Sequence, residues 1–197
     1  MVDGKPSNPP DGFDKYFSMD GDTIILKVPG GPDETGCVTT ENSKHCRTEF
    51  CEIDPKSWDP TATTNQLSAT LLVTQADDST YGTCIGQIHI QESVSVRPVC
   101  ELYYNKNGDL NMGVEQTREG GNEKEVKVGN VPIGTKFSYV IAYEGGQLKV
   151  KINDGDFQML DQYQLNNPMS YFKAGNYNQG TTPSEVHFFS IQTTHVA

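Results

Sequence analysis

No stretch of the 197-residue chain is apolar for long enough to cross a bilayer, so no membrane partner is expected. No segment sustains helical periodicity, which argues against a bundle or a coiled coil. Basic residues are scarce. Lys and Arg number 15 against 26 Asp and Glu, giving a formal net charge of −11 at pH 7. Gripping a phosphate backbone needs a basic surface, so nucleic acid is not an expected partner either. The charge also opposes an acidic polymer, but that repulsion is screened within about 10 Å at 0.1 M salt. A local basic floor can therefore bind an anion while the acidic residues lie elsewhere. Met1 to Asp14 is polar and Pro-rich and contains no apolar signal region. Either a signal peptide has been removed or there was none. Residues 1–14 are expected as a flexible segment, and residues 15–197 as one domain.

What is present is β-type punctuation. Short alternating or β-branched runs are separated by Gly, Pro, Asn and Asp clusters. Expected strands are Thr23–Val28, Cys46–Ile53, Gln66–Val73, Cys84–Gln91, Val99–Tyr104, Leu110–Glu115, Glu125–Val128, Phe137–Glu144, Gln147–Asn153, Tyr171–Tyr177 and Glu185–Gln192. Asn107-Gly108 and Gly145-Gly146 read as hairpin turns. Asp14–Phe17 and Gln162–Asn166 are candidates for short turns, and Pro29–Gly36 and Thr117–Glu123 for mobile surface loops. This pattern suggests an all-β sandwich or jelly roll. The five cysteines, Cys37, Cys46, Cys51, Cys84 and Cys100, suggest disulfides and an oxidising compartment, with one thiol left over. A zinc site of Cys37, His45, Cys46 and Cys51 lacks the close paired spacing of structural zinc and is set aside.

Three strand segments are unusually polar. Side chains alternate along a strand, so Arg47, Glu49 and Cys51 share one face, with Thr48 and Phe50 on the other. Gln87 and His89 share a face while Ile88 and Ile90 point to the core. Tyr171, Lys173, Tyr177 and Gln179 form a third polar row. Each row alone is an ordinary solvated face. Together they offer cations for a carboxylate, an amide donor, a titrating base and a phenol.

At these residues the chain resembles the family 7 alginate lyases. Arg47–Glu52 (RTEFCE) resembles their RTELRE-type motif, Gly86–His89 (GQIH) their QIH/QVH motif, and Tyr171–Gln179 (YFKAGNYNQ) their YFKAGxYNQ motif. The motifs are co-linear, and the resemblance runs from about Asp22 to Ile191, with Trp58 and the Asn65–Leu72 strand in matching places. It implies a β-jelly-roll sandwich of two antiparallel sheets with a concave substrate groove. It implies Arg47, Gln87, His89 and Tyr177 as the catalytic set, and Lys173, Glu49, Tyr171, Gln179 and Tyr103 as substrate contacts. One departure stands out: Cys51 occupies the place of a second arginine, facing the groove or tied into a disulfide.

The implied reaction is β-elimination on a 1,4-linked uronate polymer. Loss of the C5 proton becomes feasible once the carboxylate is neutralised by the Arg47 fork and the Gln87 amide. No metal or cofactor is then needed. Tyr177 is the proton donor to the departing O4. Either Tyr177 or His89 is the base, and nearby Arg47, Lys173 and His89 are expected to lower the Tyr177 pKa. Ile88 leans the expectation toward guluronate-containing blocks. A secreted, extracellular monomer acting on alginate is expected. The alternatives are a glucuronan or other uronan lyase, a non-catalytic carbohydrate-binding module, and a glycoside hydrolase. The last needs two facing carboxylates, for which the groove strands offer Glu49 and Glu101.

Overall fold

The computed structural model describes residues 15–197 except 36, 38, 40–42 and 122. The expected flexible segment 1–14 lies outside the described residues. Among the described residues, thirteen strands form two antiparallel sheets. One sheet has seven strands in the order β1-β2-β13-β4-β9-β10-β11. These are β1 (Phe17–Asp20), β2 (Thr23–Val28), β13 (Ser184–Val196), β4 (Thr64–Gln75), β9 (Phe137–Glu144), β10 (Gln147–Ile152) and β11 (Gln158–Met159). The other has six, ordered β3-β12-β5-β6-β7-β8. These are β3 (Arg47–Cys51), β12 (Ser170–Tyr177), β5 (Thr83–Ile90), β6 (Pro98–Tyr104), β7 (Asp109–Val114) and β8 (Lys124–Asn130). Strands adjacent in space are often distant in sequence, as in a jelly roll: β12 lies between β3 and β5.

Alternation explains the layers. Along β4, Leu67, Ala69, Leu71 and Val73 are buried and the residues between them are half-exposed. They meet Ile88 and Ile90 of β5, Leu102 and Tyr104 of β6, and Phe172 and Ala174 of β12 in one shared core. Burying such side chains contributes roughly 1.5–3 kcal/mol each and is the main force joining the sheets. Gly86 faces the opposite sheet; a Cβ there would lie 2.4 Å from Tyr139 Oη, whose hydroxyl donates to the Ile85 carbonyl at 2.8 Å. The tyrosine thus fills the space beside β5.

Most expected strands are present with ends shifted by one or two residues, while β13 runs on to Val196. The first strand, β1, was not expected. Among the described residues it pairs only with β2, at the sheet edge, where four residues carry little periodic signal. Pro32–Thr35 forms one helical turn (α1) inside the expected loop, and Gly31 N–H donates to the Thr181 carbonyl. The start of the Thr117–Glu123 loop is tied down: Arg118 Nε donates to the Leu165 carbonyl at 2.6 Å and Ser95 Oγ to the Arg118 carbonyl at 2.5 Å. The cysteine expectation needs correction. Cys37 and Cys46 form a disulfide, and Cys51, Cys84 and Cys100 are all free thiols, rather than one. Cys84 and Cys100 point from different strands into different packed regions, so parity alone could not pair them.

Candidate active site

The face of the six-stranded sheet turned away from the core carries a cavity of about 640 Å³. Antiparallel register assembles its floor. Arg47 of β3 lies opposite Tyr177 of β12, and Lys173 and Tyr171 of β12 lie opposite Gln87 and His89 of β5. Arg47, Gln87, His89 and Tyr177 all line this cavity, as do Lys173, Tyr171, Gln179 and Tyr103. Glu49 does not. It sits beneath the floor with its side chain 6% exposed, because Gly175 leaves no side chain above it and β12 closes in. Its role is to hold others. Gln87 Nε2 donates to Glu49 Oε1 at 2.6 Å, and Arg47 Nη1 lies 3.5 Å from Glu49 Oε2.

That support fixes orientation. A carboxylate only accepts, so the Gln87 amide nitrogen faces Glu49, leaving its oxygen and one N–H for the cavity. The Arg47 guanidinium carbon is 3.8 Å from the centre of the Tyr177 ring, a stacked cation beside the phenol. Arg47 Nε has no hydrogen-bond partner among the described residues, so the fork has donor capacity to spare. Burial pushes the Glu49 carboxyl up, against the opposing pull of Lys173 and Arg47.

His89 is held as a neutral base. Its Nδ1 lies 2.8 Å from the Ile90 carbonyl. A carbonyl only accepts, so Nδ1 carries the hydrogen and Nε2 keeps the lone pair. Burial, then the Lys173 and Arg47 charges, depress its pKa to about 4. The Tyr171 ring packs against the imidazole with centroids 5.1 Å apart.

Tyr177 departs from expectation. Burial raises its pKa above the ordinary phenol value, and the lowering effects of Arg47 and the Ser43 hydrogen bond do not reverse that. The residue is 8% exposed and Glu101 adds repulsion, so desolvation outweighs the nearby cation. Tyr177 is therefore protonated in the free protein. Its hydroxyl is 2.8 Å from Ser43 Oγ, and His45 packs edge-on against its ring. Ser43 gave no sequence signal: it lies in an irregular segment 134 positions from its partner.

Two further outcomes concern the departures. Cys51 is exposed, neither in a disulfide nor among the cavity-lining residues, with its thiol 3.5 Å from its neighbour's carbonyl. Carboxylates are more numerous than the strand pattern implied, because Glu92, Glu115 and Glu123 line the cavity along with Glu101. Among the described residues no group of three or more His, Cys, Asp or Glu is placed to hold a metal ion.

A family model described as alginate lyase matches residues 5–195. No curated protein sequence gives a significant match. Among solved structures, alginate lyase PA1167 from Pseudomonas aeruginosa is 29% identical, with a TM-score of 0.76 over 91% of this chain and 86% of that one. Alginate lyase A1-II', a member of polysaccharide lyase family 7, is 24% identical, with a TM-score of 0.76 over 92% and 84%. The exolytic alginate lyase AlyA5 from Zobellia galactanivorans is 17% identical, with a TM-score of 0.76 over 98% and 90%. The last two likenesses speak to the fold alone.

Proposed function

The chain belongs to the alginate lyase family, polysaccharide lyase family 7, and on that premise we propose that it cleaves alginate by β-elimination with Arg47, Gln87, His89 and Tyr177. The observation that carries the residue assignment is their convergence, from three strands, on one cavity floored by Lys173. Arg47 and the free N–H of Gln87 bind the uronate carboxylate and stabilise the enolate-like state after C5–H loss. The carboxylate's charge offsets Lys173 and Arg47, which removes part of the depression on His89 and makes it a better base. Tyr177, already protonated, donates to O4 as the glycosidic bond breaks. Ser43 stabilises the resulting phenolate with its hydroxyl.

This division of labour bears on substrate. In guluronate the C5 proton and O4 lie on opposite sides of the ring, and in mannuronate on the same side. A neutral His89 and a protonated Tyr177 suit removal of the proton by one residue and donation to O4 by another, the anti geometry. Mannuronate would require an ionised Tyr177 to act as base, which its raised pKa makes costly. Guluronate-containing blocks are the proposed substrate. The Cys37–Cys46 disulfide supports an extracellular, oxidising location.

The test is incubation with polyguluronate, polymannuronate and glucuronan while following ultraviolet absorbance from the new double bond. The fastest rise is expected on polyguluronate. No rise on any polymer would sink the assignment. New reducing ends without absorbance would instead implicate the cavity carboxylates in hydrolysis.

A further inference from the structure

The β6–β8 side of the cavity differs in chemistry from the side that holds Arg47 and Lys173. Glu101 pairs across from Gln87 on the next strand, one sheet spacing of about 4.8 Å away. Tyr103 Oη lies 2.7 Å from Glu101 Oε2 and 3.1 Å from Glu123 Oε2. A phenol has one proton to donate. That one proton is shared between two carboxyl oxygens unless Glu101 carries a proton of its own and donates it to the phenol oxygen. Glu125 crowds the same spot: a Cβ on Gly113 would stand 2.6 Å from Glu123 Oε2 and 2.9 Å from Glu125 Oε1. Glu115, at the end of β7, is 4% exposed and lines the cavity, and its Oε2 has no hydrogen-bond partner among the described residues. A buried polar oxygen that borders a cavity and lacks a partner calls for a ligand to supply one.

Resting on the uronate-cleaving assignment, we propose that this wall is a second uronate subsite, in which Glu101 and Glu115, as carboxylic acids beside Tyr103 and Glu123, hydrogen-bond the carboxylate and hydroxyls of the sugar next to the one attacked. Charged carboxylates there would repel the polymer; the acid forms donate to it. Burial and mutual repulsion favour the acid forms, holding Glu101 well above the carboxylate range, Glu115 at about 6 and Glu125 at about 7. The groups facing the wall are Cys84 of β5, Glu49 of β3, Tyr177 of β12 and Arg97 ahead of β6. Burial pushes the Cys84 and Tyr103 pKa values far up, so neither titrates near neutrality. Binding through acid forms is present below the wall's pKa range and lost as pH rises through it.

The experiment is calorimetric titration of the Tyr177→Phe chain, which binds without turnover, with a guluronate tetramer from pH 6 to pH 9. The expected Kd rises by up to about tenfold per pH unit above about 6, where Glu115 loses its proton, the limit for one required proton. In the same background, Glu101→Gln with Glu123→Gln supplies uncharged donors. That variant is expected to match the parent at pH 6 and bind at least about tenfold tighter than it at pH 9. Glu115→Gln serves if the pair fails to fold, with the same sign and a smaller gain. A Kd that is flat with pH, or glutamine variants no tighter at pH 9, would overturn the proposal. So would recovery of parental affinity at pH 9 on adding calcium, since the wall would then be a cation site. An absorbance rise on uronate with a flat Kd fails this subsite alone; no absorbance and no heat fails the assignment beneath it.

Discussion

Replacing Tyr177 by Phe removes one oxygen and little else. The ring stays, along with its 3.8 Å stack on Arg47 and its packing against Cys84 and Tyr103. The lost hydroxyl makes one hydrogen bond, to Ser43, in a half-buried place. That costs about 1 kcal/mol of stability, or roughly 2–4 °C in Tm for a chain of this length. The effect on chemistry is far larger. A positioned general acid contributes about 100- to 10,000-fold, roughly 3–5 kcal/mol of barrier. The variant should therefore melt near the parent temperature, bind oligouronate with similar affinity, and lose kcat by at least about a hundredfold. Ultraviolet absorbance gives the rate, and differential scanning calorimetry gives the Tm. A folded variant with kcat within tenfold of the parent would show that the leaving-group proton does not pass through Tyr177.

Further expectations follow from the same geometry. His89 works as a base only when neutral, so kcat/KM should hold as pH falls until about 4, where the imidazole gains its proton; an acid limb near the ordinary imidazole value would refute its depressed pKa. The same depression has a stability sign: the unfolded chain takes up the His89 proton first, so this group erodes stability as pH drops from its ordinary value toward about 4. Relative to the parent, His89→Gln should thus gain Tm at pH 5 and show no such gain at pH 8. Glu49→Leu should cost about 1–3 kcal/mol by denaturant melting, because Gln87 and Arg47 lose their buried acceptor; it should also lower kcat, and unchanged kinetics would remove Glu49 from its supporting role. Alkylation followed by mass spectrometry should label Cys51 alone in the native protein, and Cys51, Cys84 and Cys100 once it is unfolded without reductant.

Much of the fold was legible locally. Period-two alternation over Gln66–Val73 and the paired glycines at 145–146 mark β4 and the β9–β10 hairpin, because strand pleating and positive backbone φ are properties of neighbouring residues. The groove rows were legible for the same reason: Arg47, Gln87, His89, Lys173 and Tyr177 fall on predictable faces of their strands and line one cavity. Glu49 occupies the expected face, yet lies beneath the floor, because the close approach of β12 at Gly175 buries it.

The sequence by itself determined the class of sheet, the faces of its strands and the family to which the chain belongs, since those rest on side-chain order along a strand. Only tertiary structure decided the protonation of the site and the acidic character of its far wall. Desolvation of Tyr177 outweighs the pull of Arg47, and Glu101, Glu115, Glu123 and Glu125 gather from two strands and their adjoining loops. Both depend on how much water and how many charges surround a group in three dimensions, and adjacency along the chain carries no record of either.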